Sequence, residues 1–467
     1  MEGNHAHVVV IGGGISGLAA AWHLRHAHAG QGPRIRVTVL EASPRVGGKL
    51  YASEVGGVMV DAGAESMLAR RPEGKDLAAA AGLGGDLVDP GITRAAILSR
   101  GTLRPMPRSQ VMGVPADLAE LARSGILSPG GLLRVPMDQI LPATLVRTDV
   151  SVAAYIRARM GGEVLDRLVE PLLGGVYAGH ADRLSLEATM PRVAAAARSE
   201  RSLLTAARQI VQDASGGGGP VFTSLRSGMG SLPEAVAKAS EADVRTGVTV
   251  RELHRTADGW RLVAGPVPHP ETIEADAVIV AAPGPAAARL LKAEVPAAAA
   301  ELARIDYASM AIVTLAYAPT AFPELPTGSG YLVPPVEGRP VKAATFSSIK
   351  WPHLGGDVFV VRLSIGRIGE EHLLQRDDAE LVSLATAELA GVLGARGLPL
   401  DTRVTRWGGS LPQYNVGHLD RVARVRAAVA PQPGLAVCGA AYDGLGIPAC
   451  IATGRTAAAR ILDHLSR

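Results

Sequence analysis

A glycine-rich turn near the N-terminus constrains the fold of this chain more than any other feature of its sequence. The apolar segment HVVVI has the character of a buried strand, and Gly12-x-Gly14-x-x-Gly17 follows it at the opening of a predicted helix over 15–26. A second apolar segment, IRVTVLE, ends at Glu41. Strand, turn, helix and strand in this order predict a βαβ unit, the first part of a doubly wound α/β sheet.

The residue types in this turn are those that a dinucleotide needs. Gly12 permits the tight turn, Gly14 lets the backbone approach a pyrophosphate, and Gly17 lets the helix pack closely on the strand. The helix N-terminus offers N–H groups and the positive end of its dipole to the phosphates. Glu41 ends the second strand, where a carboxylate accepts hydrogen bonds from an adenosine ribose. The sequence therefore predicts a dinucleotide site.

The residues that follow Glu41 distinguish FAD from NAD. Arg45, Gly47 and Gly48 come next, and then Asp61-x-Gly63. This ordered set resembles the FAD signature of the flavin amine oxidase superfamily. The resemblance implies a second glycine-rich loop along the phosphate and ribityl chain, with a further backbone turn against the flavin ring. NAD-binding domains lack this continuation, so we expect FAD.

The C-terminal region also contains a predicted strand, a glycine-rich turn and a predicted helix. Its glycine-rich pattern comprises Gly439, Tyr442, Gly444, Gly446, Ile447, Pro448 and Gly454. In the same superfamily this segment packs beside the isoalloxazine, with the helix N-terminus toward its pyrimidine edge. A helix dipole placed there would stabilise negative charge on the reduced flavin.

No second Gly-x-Gly-x-x-Gly framed by a strand and a helix is present for NAD(P)H. The glycines near Gly216 follow polar residues, and Gly228-x-Gly230 has no strand before it. We therefore expect a substrate to reduce the flavin directly and dioxygen or another acceptor to reoxidise it. This favours an oxidase or dehydrogenase over a monooxygenase or an NAD(P)H reductase.

Composition excludes several other classes. The formal net charge is +3 and no dense Lys/Arg stripe is present, so nucleic acid is not expected as a partner. Cys438 and Cys450 lie in apolar surroundings without metal-ligand spacing, which predicts neither a metal site nor a disulfide. No apolar run approaches the roughly 18 to 20 residues of a spanning helix, and the leader MEGNHAH is short and polar. We expect a cytoplasmic protein, soluble or peripheral at the inner face of the membrane.

Three longer segments indicate which family within the flavin amine oxidase superfamily the chain resembles. They are EPLLGGVYAGHADRLSLEATMP, FTSLRSGMGSLPEAVA and RWGGSLPQYNVGHLDRV. With the two flavin segments they span nearly the whole chain, and in this order they resemble the protoporphyrinogen/coproporphyrinogen oxidase family of haem biosynthesis. His180 stands where many members carry Asp, and we interpret that segment as structural.

The resemblance implies an α/β fold with a discontinuous, Rossmann-like FAD domain, a mixed-sheet α+β substrate domain and a helical domain. Our reading of the elements places the FAD domain at 1–85, 205–290 and 406–467, the mostly helical domain at 86–204, and the substrate domain at 291–405. Members of the family associate with membranes through the helical domain. Within it, 110–145 is either a membrane-facing surface, a lid or packed helical core, and we favour core.

By the matching motifs, eighteen residues are expected to contact FAD without a covalent bond. They are Gly12, Gly13, Gly14, Ile15, Ser16, Gly17, Glu41, Ala42, Lys49, Gly63, Ala64, Glu65, Ser66, Val248, Trp407, Gly446, Ile447 and Pro448. Val248 would pair its backbone with the adenine. Arg70 and Arg71 stand where the family has basic residues, and we expect Arg71 to bind a substrate carboxylate, since a guanidinium grips one bidentately.

The implied reaction is the oxygen-dependent, six-electron oxidation of coproporphyrinogen III to coproporphyrin III, with hydrogen peroxide as the second product. No general base is identified. The alternative substrate is protoporphyrinogen IX, and contact with the next enzyme of the haem pathway is a further expectation. A flavin amine oxidase is a more remote alternative, in which Trp407, Tyr414 or Tyr442 would supply an aromatic pair over the flavin. A binding protein without catalysis is another, and it would be colourless when purified.

Overall fold

The computed structural model describes residues 5–26, 35–144, 146–214 and 219–467. Leu145 and residues 215–218, which include most of the glycine run at 216–219, lie outside these ranges. The strands, in chain order, are β1 (Ala6–Ile11), β2 (Ile35–Leu40), β3 (Ala52–Val55), β4 (Val58–Asp61), β5 (Met67–Leu68), β6 (Leu87–Val88), β7 (Ala96–Ser99), β8 (Thr102–Pro105), β9 (Gln110–Val111), β10 (Val114–Pro115), β11 (Phe222–Leu225), β12 (Asp243–Arg245), β13 (Val250–Arg255), β14 (Trp260–Ala264), β15 (Glu271–Ala275), β16 (Ala277–Val280), β17 (Tyr307–Tyr317), β18 (Gly330–Leu332), β19 (Val341–Phe346), β20 (Phe359–Ile365), β21 (Asp401–Pro412) and β22 (Leu435–Val437).

The helices alternate with these strands along much of the chain. In order they are α1 (Ile15–His26), α2 (Pro72–Ala80), α3 (Leu118–Ser124), α4 (Pro129–Arg134), α5 (Val152–Met160), α6 (Gly162–Val164), α7 (Glu170–Tyr177), α8 (Leu186–Thr189), α9 (Pro191–Ser199), α10 (Leu203–Ala214), α11 (Ser231–Ala239), α12 (Gly284–Leu291), α13 (Pro296–Leu302), α14 (Ser347–Lys350), α15 (Asp378–Leu393), α16 (His418–Val429) and α17 (Ile447–Leu465). Among the described residues, none of these helices is long and apolar enough to cross a membrane.

The nucleotide-binding part is built on a five-stranded parallel sheet with the order β12-β2-β1-β16-β22. Alternate residues of β1 enter two different hydrophobic clusters. Val8 and Val10 pack against α1, α11 and α17, whereas Val9 and Ile11 pack against α12, α13 and α16. A strand buried on both faces reads as a continuous apolar run, which is why HVVVI shows no alternation. The predicted doubly wound sheet is confirmed.

A second, seven-stranded mixed sheet has the order β21-β17-β20-β19-β18-β7-β8. One of its faces is covered by α15 and carries the alternate residues Val361, Leu363 and Ile365 of β20. Its neighbouring strands pair antiparallel, apart from the parallel pair of β18 with β7. The apolar segments MAIVTLAYA and VFVVRLSIG supply most of β17 and all of β20, and α15 lies within the segment DDAELVSLATAELAGVLG.

Two strands of this sheet come from segments assigned differently by sequence. The range 86–204 was expected to be mostly helical, but 87–115 contains five short strands, and β7 and β8 join the seven-stranded sheet. The pairing of β7 with β18 joins residues more than 200 positions apart, so local periodicity gives no sign of it. Strand β21 likewise runs across the expected boundary at 405. The domain limits themselves stay a prediction.

The helices α3 to α10 enclose a separate apolar cluster that includes Leu121, Ile156, Leu168 and Leu204. Inside it, the Arg159 guanidinium donates to Asp138 at 2.5 Å, and both side chains are buried. Asp138 also accepts from the backbone of Leu204 at 2.8 Å and so joins two ends of the helical region. Leu121 and its neighbours pack in this core, whereas Leu133, Met137 and Ile140 are exposed, so the choice between core, lid and membrane-facing surface for 110–145 stays a prediction.

Candidate active site

The first glycine-rich turn has close contacts that only glycine tolerates. Gly12 has φ +113°, and a Cβ there would lie 2.7 Å from the carbonyl oxygen of Ala281. A Cβ on Gly17 would lie 2.0 Å from the carbonyl oxygen of Gly12. The turn is thus tight because β1, the start of α1 and the residue after β16 pack directly on one another. Ile15 and Ser16 form the buried first turn of α1.

Gly14 differs from its neighbours because a Cβ on it would have no atom within 4 Å. The Gly13 N–H donates to Glu41 Oε2 at 2.7 Å, and the Ser43 N–H donates to Glu41 Oε1 at 2.8 Å. The carboxylate is therefore held beside the turn with lone pairs left for further donors. Open space at Gly14, a helix N-terminus and an oriented carboxylate form a cradle that fits the pyrophosphate and ribose of FAD.

The second glycine-rich loop lies directly on the first. The Gly47 N–H donates to the carbonyl oxygen of Gly13 at 2.8 Å, and Gly14 and Gly47 form a bridge. Lys49 follows, and burial lowers the pKa of its ammonium group. Ala42, which follows Glu41, is exposed at the same edge. The two loops that the sequence assigned to the phosphates are therefore adjacent in space.

The next predicted turn, at Gly63, contacts the seven-stranded mixed sheet. The Ala64 N–H donates to the carbonyl oxygen of Lys49 at 3.2 Å, and a Cβ on Gly63 would lie 1.9 Å from that oxygen. Trp407 on β21 donates from Nε1 to the carbonyl oxygen of Ala62 at 2.8 Å. Trp407 thus belongs to the seven-stranded sheet, and it contacts the turn that is expected to lie against the flavin ring.

The C-terminal glycine-rich segment returns to the same place. Gly446 is the N-cap of α17, which begins at Ile447 and has Pro448 in its first turn. Helix α17 crosses α1 so closely that a Cβ on Gly454 would lie 2.2 Å from the carbonyl oxygen of Ser16. The N-terminal and C-terminal flavin segments, about 430 residues apart, therefore form one site.

Two side chains outside that segment support its turn. The Tyr414 hydroxyl donates to the carbonyl oxygen of Ala440 at 2.7 Å, and the His418 ring stacks on Tyr414 with 3.9 Å between ring centroids. His418 Nε2 lies 3.2 Å from the carbonyl oxygen of Tyr442. Burial lowers the pKa of His418 to about 4, so this ring is neutral at physiological pH and hydrogen-bonds as a neutral imidazole.

Val248 lies in the loop after β12, beside Glu41. Its N–H donates to the carbonyl oxygen of Glu41 at 2.9 Å. Backbone pairing of Val248 with adenine would therefore use the carbonyl oxygen or require the N–H to change partner. That pairing stays a prediction.

Glu65 is the centre of a buried ion cluster that the sequence did not reveal. Its carboxylate accepts from Lys350 of α14 and from Arg362 of β20, and Arg362 also donates to the carbonyl oxygen of Gly63 at 2.6 Å. Burial alone would raise the pKa of Glu65, but the two cations outweigh burial and lower it to about 2. The cluster joins the turn containing Gly63 and Ser66 to the seven-stranded sheet. The one sequence signal was an arginine within the otherwise apolar strand FVVRLSI.

A second buried carboxylate holds the next loop. Asp61 accepts from the backbone N–H groups of Met229 at 2.9 Å and Gly230 at 3.0 Å. Burial raises the pKa of Asp61 to about 6, against the opposing effect of these hydrogen bonds. The Gly228-x-Gly230 pattern, which lacked a preceding strand, is therefore a support for Asp61.

Arg71 is the N-cap of α2 and is partly exposed. Its Nη2 lies 2.5 Å from Oε1 of Glu73, and its Nε also donates to that carboxylate. The side-chain hydrogen bonds to Glu73 raise the pKa of Arg71. The guanidinium that was expected to grip a substrate carboxylate thus has an internal partner, while Arg70 is exposed.

His180 is part of a structural contact, in line with our interpretation of that segment. Its Nδ1 lies 3.0 Å from Glu170 Oε1, and the Ala181 N–H donates to the other oxygen of Glu170 at 2.9 Å. The hydrogen bond that His180 donates to the Glu170 carboxylate raises the pKa of His180. Within the described residues, no group of three or more His, Cys, Asp or Glu side chains is arranged to hold a metal ion.

Comparison with known proteins places the chain in a family. The model of the flavin containing amine oxidoreductases matches residues 15–462. The chain is 39% identical to the coproporphyrinogen III oxidase of Mycobacterium bovis (strain ATCC BAA-935 / AF2122/97), over 98% of this chain and 97% of the relative. It is 34% identical to the coproporphyrinogen III oxidase of Bacillus subtilis (strain 168), over the full length of both.

A solved structure agrees with these relatives. The putative protoporphyrinogen oxidase from Exiguobacterium sp. 255-15 is 32% identical, covers 98% of both chains and superposes with a TM-score of 0.86. The predicted fold class and the predicted flavin-dependent oxidoreductase class are confirmed. The chain belongs to the flavin containing amine oxidoreductase family, and within it to the group of porphyrinogen oxidases.

Proposed function

We propose that this protein oxidises coproporphyrinogen III to coproporphyrin III in haem biosynthesis, using non-covalently bound FAD and dioxygen and releasing hydrogen peroxide. The observation that carries the proposal is that four distant segments pack on one another and contact the mixed sheet. They are the loops at Gly14, Gly47 and Gly63 and the helix α17. Full-length similarity to proteins named coproporphyrinogen III oxidase favours this substrate.

When bound, FAD would accept two electrons and a proton equivalent from the substrate and pass the electrons to dioxygen. The chain's own residues would bind and orient. The N-terminus of α1 and Gly14 would hold the pyrophosphate, and Glu41 would hold the ribose. Trp407 and the Gly63 turn would lie at the flavin ring, and the sheet above them would position the macrocycle and exclude water.

The alternatives make different demands on the site. An amine oxidase would need an aromatic pair over the flavin, but Tyr414 and Tyr442 are each only 1% exposed, which leaves Trp407 as the accessible ring of the three candidates. This favours a porphyrinogen over an amine. Protoporphyrinogen IX stays the second candidate, since it shares the macrocycle and two of the four propionates.

Aerobic porphyrin fluorescence tests the substrate. The purified holoenzyme, given coproporphyrinogen III and protoporphyrinogen IX in parallel, is expected to convert the former faster. Preference for protoporphyrinogen IX would reverse the substrate assignment, and a yellow protein that converts neither would contradict the proposal. In the same assay Arg71→Ala is expected to raise KM for coproporphyrinogen III more than it lowers kcat, if Arg71 leaves Glu73 to bind a propionate. An unchanged KM would mean that Arg71 does not bind the substrate.

We further propose a cytoplasmic protein that touches the inner face of the membrane through the segment around α4. Leu133, Met137 and Ile140 follow one another at helical spacing and are 74%, 44% and 73% exposed. An apolar stripe of this kind suits the interfacial region of a bilayer and would also suit a neighbouring pathway enzyme. Flotation with anionic phospholipid vesicles, lost in Ile140→Asp, would support the membrane contact, and no flotation of the parent protein would contradict it.

A further inference from the structure

Lys342 is a buried amine that forms no salt bridge within the described residues. It lies on β19 and is 2% exposed. Its Nζ lies 3.9 Å from Met310 Sδ, and among the described residues no salt bridge joins it to a carboxylate. An unpaired ammonium in such surroundings costs free energy, so a protein that keeps one is expected to use it.

The sheet geometry places Lys342 on the side of the flavin loops. On β20 the far face carries Leu363 and Ile365, so Arg362 and Ser364 lie on the near face, where Arg362 reaches Gly63. On β17, Met310 lies opposite Trp407 of β21 and therefore shares its face. A register shift after Val341 accompanies the approach of Lys342 to Met310 across this near face.

Partly exposed apolar side chains lie beside Lys342 on the same face of the sheet. Leu332 of β18 lies opposite Ala343 of β19, next to Lys342, and both are partly exposed. A Cβ on Gly175 of α7 would lie 3.7 Å from Leu332 Cδ2, and the neighbouring Val176 is 46% exposed. Helix α7 therefore approaches this face of the sheet at Leu332, and together they present the kind of apolar surface that lines ligand sites. Met310 contacts Lys342 through its sulfur and is itself partly exposed.

The charges near Lys342 do not neutralise it. The cation Arg367 and the carboxylate Glu370 both act electrostatically on Lys342, but Glu370 is already paired with Arg367 at 3.4 Å. Arg367 also donates to the carbonyl oxygen of Val333 at 3.0 Å. Burial first, and then Arg367, lower the pKa of Lys342 to about 7, while Glu370 opposes them. The cluster of Lys342, Arg367 and Glu370 therefore carries one positive charge in excess when Lys342 is protonated.

We propose that Lys342 binds a carboxylate of the substrate, with the flexible Met310 side chain as the cover that moves aside. The ligand class is a propionate on a tetrapyrrole, so the inference deepens the proposed function and rests on it. Met is suited to this part because its unbranched thioether side chain changes rotamer readily. Unlike Arg71, which Glu73 neutralises, Lys342 forms no salt bridge to a carboxylate within the described part of the chain.

The proposal links binding to proton uptake. The free protein at pH 7.5 holds Lys342 partly as the neutral amine, because its pKa is about 7. A carboxylate at hydrogen-bond distance favours the ammonium and raises that pKa, so binding draws a fraction of one proton from solution. The effect should fade below pH 6, where the free protein is already protonated at this position.

The test uses the FAD-loaded protein and coproporphyrin III, which keeps all four propionates and needs no turnover. Isothermal titration calorimetry at pH 7.5, in two buffers of different ionisation enthalpy, measures both Kd and protons taken up. Lys342→Met is expected to weaken binding about 10- to 100-fold and to abolish the uptake. The control Lys292→Met removes an exposed lysine at the C-terminal end of α12 and should change neither quantity.

Each result decides the proposal. Unchanged affinity and uptake in Lys342→Met would overturn it while leaving the proposed function intact. Failure of the parent protein to bind coproporphyrin III would overturn both. A second readout is the Cε carbon resonance of Lys342, one of six lysines in the chain. Its titration midpoint is expected near 7 and should rise when coproporphyrin III binds, and a midpoint unmoved by the porphyrin would also overturn the proposal.

Discussion

Gly14→Glu is expected to abolish FAD binding and leave the fold intact, with affinity reduced by more than about 100-fold. The fold should survive because a Cβ on Gly14 meets no atom within 4 Å, so the new side chain has room to form. The cofactor should be lost because the glutamate would occupy the space beside the N-terminus of α1 and place a negative charge against the pyrophosphate. The measurement is the flavin absorbance of purified protein, together with titration of the apoprotein with FAD.

The matched control is Gly85→Glu. A Cβ on Gly85 also meets no atom within 4 Å, its φ is not in the left-handed region, and the residue is exposed. This variant adds the same charge and should keep a full flavin spectrum. A full spectrum in Gly14→Glu as well would mean that the phosphates lie elsewhere.

Glu65→Gln is expected to lower the free energy of unfolding by about 3–5 kcal/mol, the usual cost of removing one partner from a buried ion cluster. Lys350 and Arg362 would then face each other without a counter-ion, and the turn at Gly63 would lose its tie to β20. Denaturant unfolding of the apoprotein measures the loss. The control Glu274→Gln breaks an exposed pair with Arg261 and should cost less than about 1 kcal/mol.

The pH dependence of the same cluster has a definite sign. The pKa of Glu65 is about 2 in the folded chain and near 4.5 in the unfolded one. The unfolded state therefore binds the proton first, so the contribution of Glu65 is present above pH 4.5 and is lost as the pH falls toward 2. Its full size is about 3 kcal/mol. Glu65→Gln should show a smaller loss of stability than the parent over this range, and equal slopes would contradict the role of Glu65.

Local sequence order was sufficient for the nucleotide-binding part. Strand, glycine turn, helix and Glu41 follow one another within about 35 residues, and each carries a backbone requirement visible in its residue type. Gly12 needs a positive φ and Gly17 a close approach, which only glycine allows. The flavin family could be identified from the sequence for the same reason. Each of its motifs is short and local, and the motifs follow one another in a fixed order.

The seven-stranded sheet and its charged side chains could not be predicted, because they depend on contacts between residues that are far apart in the sequence. The pairing of β7 with β18, the ion cluster at Glu65 and the approach of Lys342 to Met310 all join residues that are far apart in the chain. No local periodicity encodes such pairings, and a lone lysine or arginine in a strand has no assigned partner until the sheet forms. The neutralisation of Arg71 by Glu73 was likewise decided by the side-chain geometry at the start of α2. The sequence alone therefore determined the cofactor and the family, whereas the tertiary structure decided which charged side chains are paired, because those pairs form only when distant strands and helices come together.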